Sequence, residues 1–130
     1  MQLNNFLGKV SEEDEQFMKR FNKTGMQLVL RKKVMARQQR MCEGSVQRRL
    51  NEVKLLEESK AGKTAEEIAE IDEMIAERKE FLSRLDKRVT TLGTKLTNVK
   101  NRMERMNADA EYQRKRAAGN VAGEAVKDAA

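Results

Sequence analysis

The chain has 130 residues and a formal net charge of +6; 37% of residues are charged and 38% hydrophobic, with four Phe, one Tyr and no Trp, Pro or His. A compact core of this length normally draws on more aromatic and β-branched side chains, so the composition argues against a globular enzyme and leaves helix or disorder. The absence of Pro, with abundant Ala, Glu, Lys, Arg, Leu and Met, favours uninterrupted helix. Without His, the usual acid–base group near neutral pH and zinc sites that pair His with Cys are missing. No catalytic residue, cofactor or metal site is therefore expected.

Residues 1–10 read as a short amphipathic segment with Leu3, Phe6, Leu7 and Val10 on its apolar side. They carry one Lys and no apolar block leading to small residues, so a secretory signal is not expected. Glu12, Glu13, Asp14 and Glu15 arrive too early for an Arg-rich import leader. No window approaches the ~18 apolar residues of a membrane span, so the expected location is cytoplasmic, with cytoskeleton or cilium as a possible setting.

Helix 1 is expected over residues 11–59. Ser11 can cap it, and the four acids that follow favour its positive end. Gly25 and Gly44 are its weak points. A restart at Ser45 lacks the Glu or Gln that a capping box needs, since Arg48 stands three residues on. A turn is expected over residues 60–64, where Gly62 can take the left-handed conformation, and Thr64 with Glu67 has capping-box spacing for helix 2. Helix 2 is expected over residues 65–116. The run of Ala, Gly and Val over residues 117–130 is expected to form a loose tail.

Helix 2 carries the strongest signal. With Ile68 at position a, the a series is Ile68, Ile75, Leu82, Val89, Leu96 and Met103, and the d series is Ile71, Arg78, Leu85, Leu92, Val99 and Met106. Eleven of the twelve are apolar, a sustained 3.5-residue repeat, and these twelve positions are the expected partner interface. Helix 1 follows a heptad less strictly, with a at Met18, Gly25, Lys32, Gln39, Val46 and Val53 and d at Phe21, Leu28, Met35, Cys42, Arg49 and Leu56. Val29, Leu30, Val34, Met41 and Leu50 lie outside that seam and widen it, which suits packing against more than one neighbour. Cys42 reads as a small seam residue rather than a reactive thiol. The expected fold is all-α: two long helices forming a coiled coil or helical hairpin, elongated and without a globular core.

Charge is distributed in stripes. Residues 19–49 carry net +9, residues 50–80 net −5 and residues 81–116 net +6. A hairpin folded near Gly62 would lay the first block beside the last, an unfavourable register without acidic company. A parallel dimer of helix 2 would set Lys95 against Lys100 of the other strand. Both schemes point to a heteromeric coiled coil or a larger assembly. Arg31, Lys32, Lys33, Arg37 and Arg40 form the densest basic patch, read as a solvated face, as a surface for an acidic protein or polymer such as a microtubule, or as a phosphate binder. Nucleic acid is the least favoured of the three, because aromatics, Gly-rich loops and a known reading module are lacking.

Ala61-Gly62-Lys63-Thr64 matches the end of a Walker-type phosphate loop, but Glu57 stands where the pattern needs Gly, and the string links two helices rather than following a strand. The acids Glu66, Glu67, Glu70, Asp72 and Glu73 suit a helix start without an ion. Arg78 inside an apolar heptad resembles the polar central layer of membrane-fusion SNARE helices, with Leu82 to Met106 as the downstream layers. Upstream of Ile68 the layers would fall on Thr64, Ala61, Glu57 and Lys54, so the likeness covers part of such a motif and implies a tethering adaptor in membrane trafficking. The favoured expectation is a structural coiled-coil subunit of a multi-protein assembly, in a cytoskeletal or ciliary microtubule complex.

Overall fold

The computed structural model describes the backbone of residues 9–129 and side chains up to residue 119. Leu3, Phe6 and Leu7 of the expected amphipathic segment lie outside the described residues. Two helical elements are present, α1 (Glu12–Glu58) and α2 (Ala65–Ala129), packed as a helical hairpin, with no strand among the described residues.

The expected signals set the helix ends. The amide of Asp14 donates to Ser11 Oγ at 3.2 Å, which caps α1. At the turn Gly62 has φ +74°, a conformation that side chains with a Cβ rarely adopt. The Glu67 amide then donates to Thr64 Oγ1 at 3.2 Å, and the Thr64 hydroxyl donates to the Glu67 carboxylate at 3.1 Å, which starts α2.

α1 is not one straight rod. Asn22 has φ 52° and ψ −127°, outside the helical region, and divides the element into residues 12–21 and 23–58. The two parts fold back on each other. Lys32 Nζ lies 2.5 Å from Asp14 Oδ1, whereas 18 residues of continuous helix would separate them by ~27 Å. At Gly25 the backbone of the first part comes so close that an added Cβ would stand 2.8 Å from the Phe17 carbonyl oxygen and 3.1 Å from Met18 Cα. The break thus falls three residues before Gly25, and Gly25 serves as the contact point rather than as the bend. Asn tolerates positive φ better than most residues, but ψ −127° lies outside the αL well it favours, so the position suits Gly better still. Gly44 causes no break.

The chain divides into two compact units. In the first, Met1–Lys32 with Thr97–Ala130, three helical segments meet. Residues 12–21 lie against both residues 23–32 and α2, and Arg20 reaches Asn107 Oδ1 at 3.2 Å and Glu111 Oε1 at 2.6 Å. Val10, Phe17, Leu28, Val29, Val99 and Met103 are buried in this unit, Val29 completely. In the second, Lys33–Leu96, two helices run antiparallel: Arg49 stacks on the Phe81 ring at 4.9 Å, Arg78 bonds Glu52, and Lys60 bonds Asp72.

α2 runs on through the segment expected to be a loose tail, to Ala129. Helix propensity explains the difference: six of residues 117–130 are Ala, which outweighs the cost of Gly119 and Gly123.

The fold-back generates two stability predictions. Asn22→Gly relieves the left-handed backbone and is expected to stabilise by about 1 kcal/mol, while Asn22→Ala destabilises by a similar amount. Gly25→Ala forces the first segment away and is expected to cost about 1–3 kcal/mol. Urea unfolding followed by circular dichroism measures all three.

Candidate interaction surfaces

All twelve expected seam positions of α2 are buried or half-buried. Between residues 65 and 106 the only other position that is not exposed is Gly93. Ile75, Leu92, Leu96, Val99 and Met103 are buried, whereas Ile68, Ile71, Arg78, Leu82, Leu85, Val89 and Met106 are half-buried. The stripe faces α1 of the same chain. The twelve positions of helix 1 behave alike, from Met18 and Phe21 to Val53 and Leu56, with none exposed. The expectation that charge would disfavour this hairpin is corrected by the first segment of α1. It carries acids into the first unit, where Glu13 and Asp14 border one groove with Lys32, Lys100 and Glu104.

Arg78, the polar member of the stripe, places its Nε 2.9 Å from Glu52 Oε2 and its Nη1 4.0 Å from Glu77. The acid that faces Arg78 is thus supplied by α1 of the same chain. Glu52 also lies 3.0 Å from Arg49. The hydrogen bond from Arg49, then that from Arg78, holds the Glu52 carboxyl below the usual carboxylate range. Arg20 does the same for Glu111, aided by the charge of Arg114. Lys60, between Asp72 at 2.5 Å and Glu57 at 3.0 Å, is raised, with Asp72 the larger cause.

The basic patch divides. Lys32 is not available to a partner, because it is turned onto Asp14, itself only 4% exposed. A buried carboxylate needs such a counter-charge. Lys33 is half-buried, and Arg31, Arg37 and Arg40 are exposed. Among the described residues none of these four has an acid within ion-pair distance. In the second unit Arg37, Arg40 and Arg48 line a shallow groove with Met41 and Cys42, and Cys42 is half-buried with a free thiol.

Two of the five acids at the start of α2 are held by the turn: Glu67 in the cap and near Lys63, and Asp72 on Lys60. Lys63 and Thr64 of the Walker-like string serve those same contacts. No helix among the described residues is long and apolar enough to cross a membrane.

Sequence reasoning missed Asp14 and Phe17 as buried anchors and treated Asp14 only as a helix-end charge. The signal was present in Val29 and Leu30, apolar residues outside the seam that called for a third neighbour. Comparison with family models, curated proteins and solved structures found no match for this chain.

Leu92→Asp places a charge in the buried stripe and is expected to cost about 3 kcal/mol or more, read as a loss of helicity on mild heating. The pH dependence follows from the three perturbed groups. Glu52 and Glu111 are lowered, so their stabilisation is complete above the ordinary value of 4.5 and lost as pH falls below it. Lys60 is raised, so its stabilisation is complete below 10.5 and lost as pH rises past that value. The melting temperature is expected to be flat between about pH 5.5 and 9.5 and to decline gently on both sides, as these pairs are exposed. Glu111→Gln is expected to speed amide hydrogen exchange in residues 12–21 at neutral pH and to leave the turn unaffected.

Proposed function

We propose that the protein is a structural helical-hairpin subunit of a multi-protein assembly that docks on an acidic surface through Lys33, Arg37 and Arg40, with a cytoskeletal or ciliary microtubule complex as the favoured setting. One contrast carries this reading. Arg20, Lys32, Arg49, Lys60 and Arg78 each have an acid of the chain as partner, while Lys33, Arg37 and Arg40, within two turns on the outer side of α1, have none among the described residues. A concentration of uncompensated positive charge on a rigid helix favours a polyanionic surface and raises the rate of encounter with it. Coiled-coil proteins are the expected companions in such an assembly, and the half-buried stripe positions of the second unit leave apolar surface that another helix can cover.

Co-sedimentation with microtubules, intact and with their acidic tails trimmed, tests the reading. The triple variant Lys33→Glu, Arg37→Glu, Arg40→Glu is expected to keep its helicity and to lose binding by roughly tenfold or more, equivalent to about 1.4 kcal/mol. Binding unchanged by charge reversal or by tail removal would overturn it. Retention on DNA with a steep salt slope, without microtubule binding, would replace the acidic-polymer surface with a phosphate one.

A further inference from the structure

Six large apolar side chains of the second unit remain exposed: Val34 at 38%, Met41 at 63%, Leu50 at 46%, Leu55 at 65%, Met74 at 41% and Phe81 at 40%. All but Leu50, which stands at position e on the other side, share one side of the hairpin. In the heptad of α1, Val34, Met41 and Leu55 hold position c; in that of α2, Met74 and Phe81 hold position g. At ~100° per residue, c and g are neighbours on the helix surface, on the d side of the seam. The contacts agree. Arg49 and Glu52 of α1, at d and g, meet Phe81 and Arg78 of α2, while Lys60, at a, meets Asp72 on the opposite side.

Charge within the same unit is polarised. Residues 33–49 and 81–96, at the end away from the turn, hold nine bases and two acids; residues 50–80, at the turn, hold ten acids and five bases. The unit therefore has a net +7 end, which holds Val34, Met41 and Phe81, and a net −5 end, which holds Leu55 and Met74. We infer that this side of the hairpin pairs with a second copy of itself, antiparallel, so that the basic end of each copy lies along the acidic end of the other.

A two-fold axis through the level of Arg48 pairs the apolar side chains as well; Arg48, also at position c and exposed, then meets its own copy on the axis, where its long stem lets the guanidinium turn out to solvent. Met41 and Leu55 stand seven residues on either side of Arg48, about 10 Å along the helix in each direction. The rotation sets Met41 of one copy opposite Leu55 of the other, with Phe81, level with Arg49, near the axis. Such self-complementarity is what an isologous interface requires. The reverse, parallel pairing would lay the basic ends together. A face ~45 Å long and two helix diameters wide offers on the order of 900 Å² per copy, about what a stable dimer buries. The pairing leaves Lys33 and Arg40 on the outer surface, so the dimer carries two basic patches at opposite ends and can bridge two acidic surfaces.

Sedimentation equilibrium of the full chain is the test. A dimer is expected at micromolar concentration in low salt, weakened as salt is raised because the ends are held by charge. A monomer under these conditions, or a dimer indifferent to salt, would overturn the inference. Met41→Asp and Leu55→Asp are expected to give monomers with unchanged helicity, since both side chains are exposed. Should either lose helicity, Met74→Glu provides the same test from α2. In a Cys42→Ser background, mixing Met41→Cys with Leu55→Cys is expected to form the mixed disulfide in preference to either symmetric one. Symmetric Met41→Cys dimers in the majority would reverse the orientation and overturn the antiparallel pairing. Microtubule binding by Met41→Asp separates the two readings, because the basic patch is intact in that variant.

Discussion

An apolar stripe six heptads long, one side chain wide, cannot be left in water and cannot be buried by a globule. A second helix of comparable length is the economical cover, and in this chain α1 is that helix. The solution carries an electrostatic cost, because it lays a +9 block of α1 along a +6 block of α2. The fold-back at Asn22 offsets that cost by returning residues 12–21, with Glu12, Glu13, Asp14 and Glu15 at their start, to the place where positive charge would otherwise face positive charge. The Asp14 to Lys32 and Arg20 to Glu111 contacts then hold the segment from both sides.

Two modes of burial result. Where three segments meet, Val29 has no exposed surface, and Val99 and Met103 are buried. Where two helices meet, Leu82, Leu85 and Val89 of the same stripe are only half-covered, while Ile75, Leu92 and Leu96 are buried. Two helices thus bury some layers of the stripe and leave others partly open, although the side chains are equally apolar. Half-covered layers still gain roughly 25 cal/mol for each Å² removed from water. They also retain surface that a further layer can take up, and this gives the second unit its capacity to assemble.

The α2 stripe was legible in the sequence because a 3.5-residue repeat over twelve positions has a single geometric meaning, and every one of those positions turns inward. The turn was legible for a similar reason: Gly62, Thr64 and Glu67 each perform a local task that their chemistry dictates. The break at Asn22 was not, because a glycine three residues away gave the stronger local signal while the actual constraint was tertiary. Only after the segment folds back does Gly25 acquire its purpose as the point of close approach. The basic patch was legible as a count of charges. The loss of Lys32 from it depended on Asp14, 18 residues earlier in the chain, which no local pattern connects.

The separation of partners along the chain also orders the way the molecule assembles itself. Lys60 and Asp72 close a loop of a dozen residues across the turn, whereas Arg20 and Glu111 are 91 residues apart. Loop-closure entropy makes the longer contact costlier by about 2 kcal/mol if formed first, and cheap once the intervening helices are already zipped together. Loop closure thus favours an order that starts at Gly62 and ends with the docking of residues 12–21. In that order the surface around Met103, which stands beside Phe17 in the finished unit, is covered last, so the time before the N-terminal segment closes is the period in which the chain is most exposed to capture by another unfinished chain.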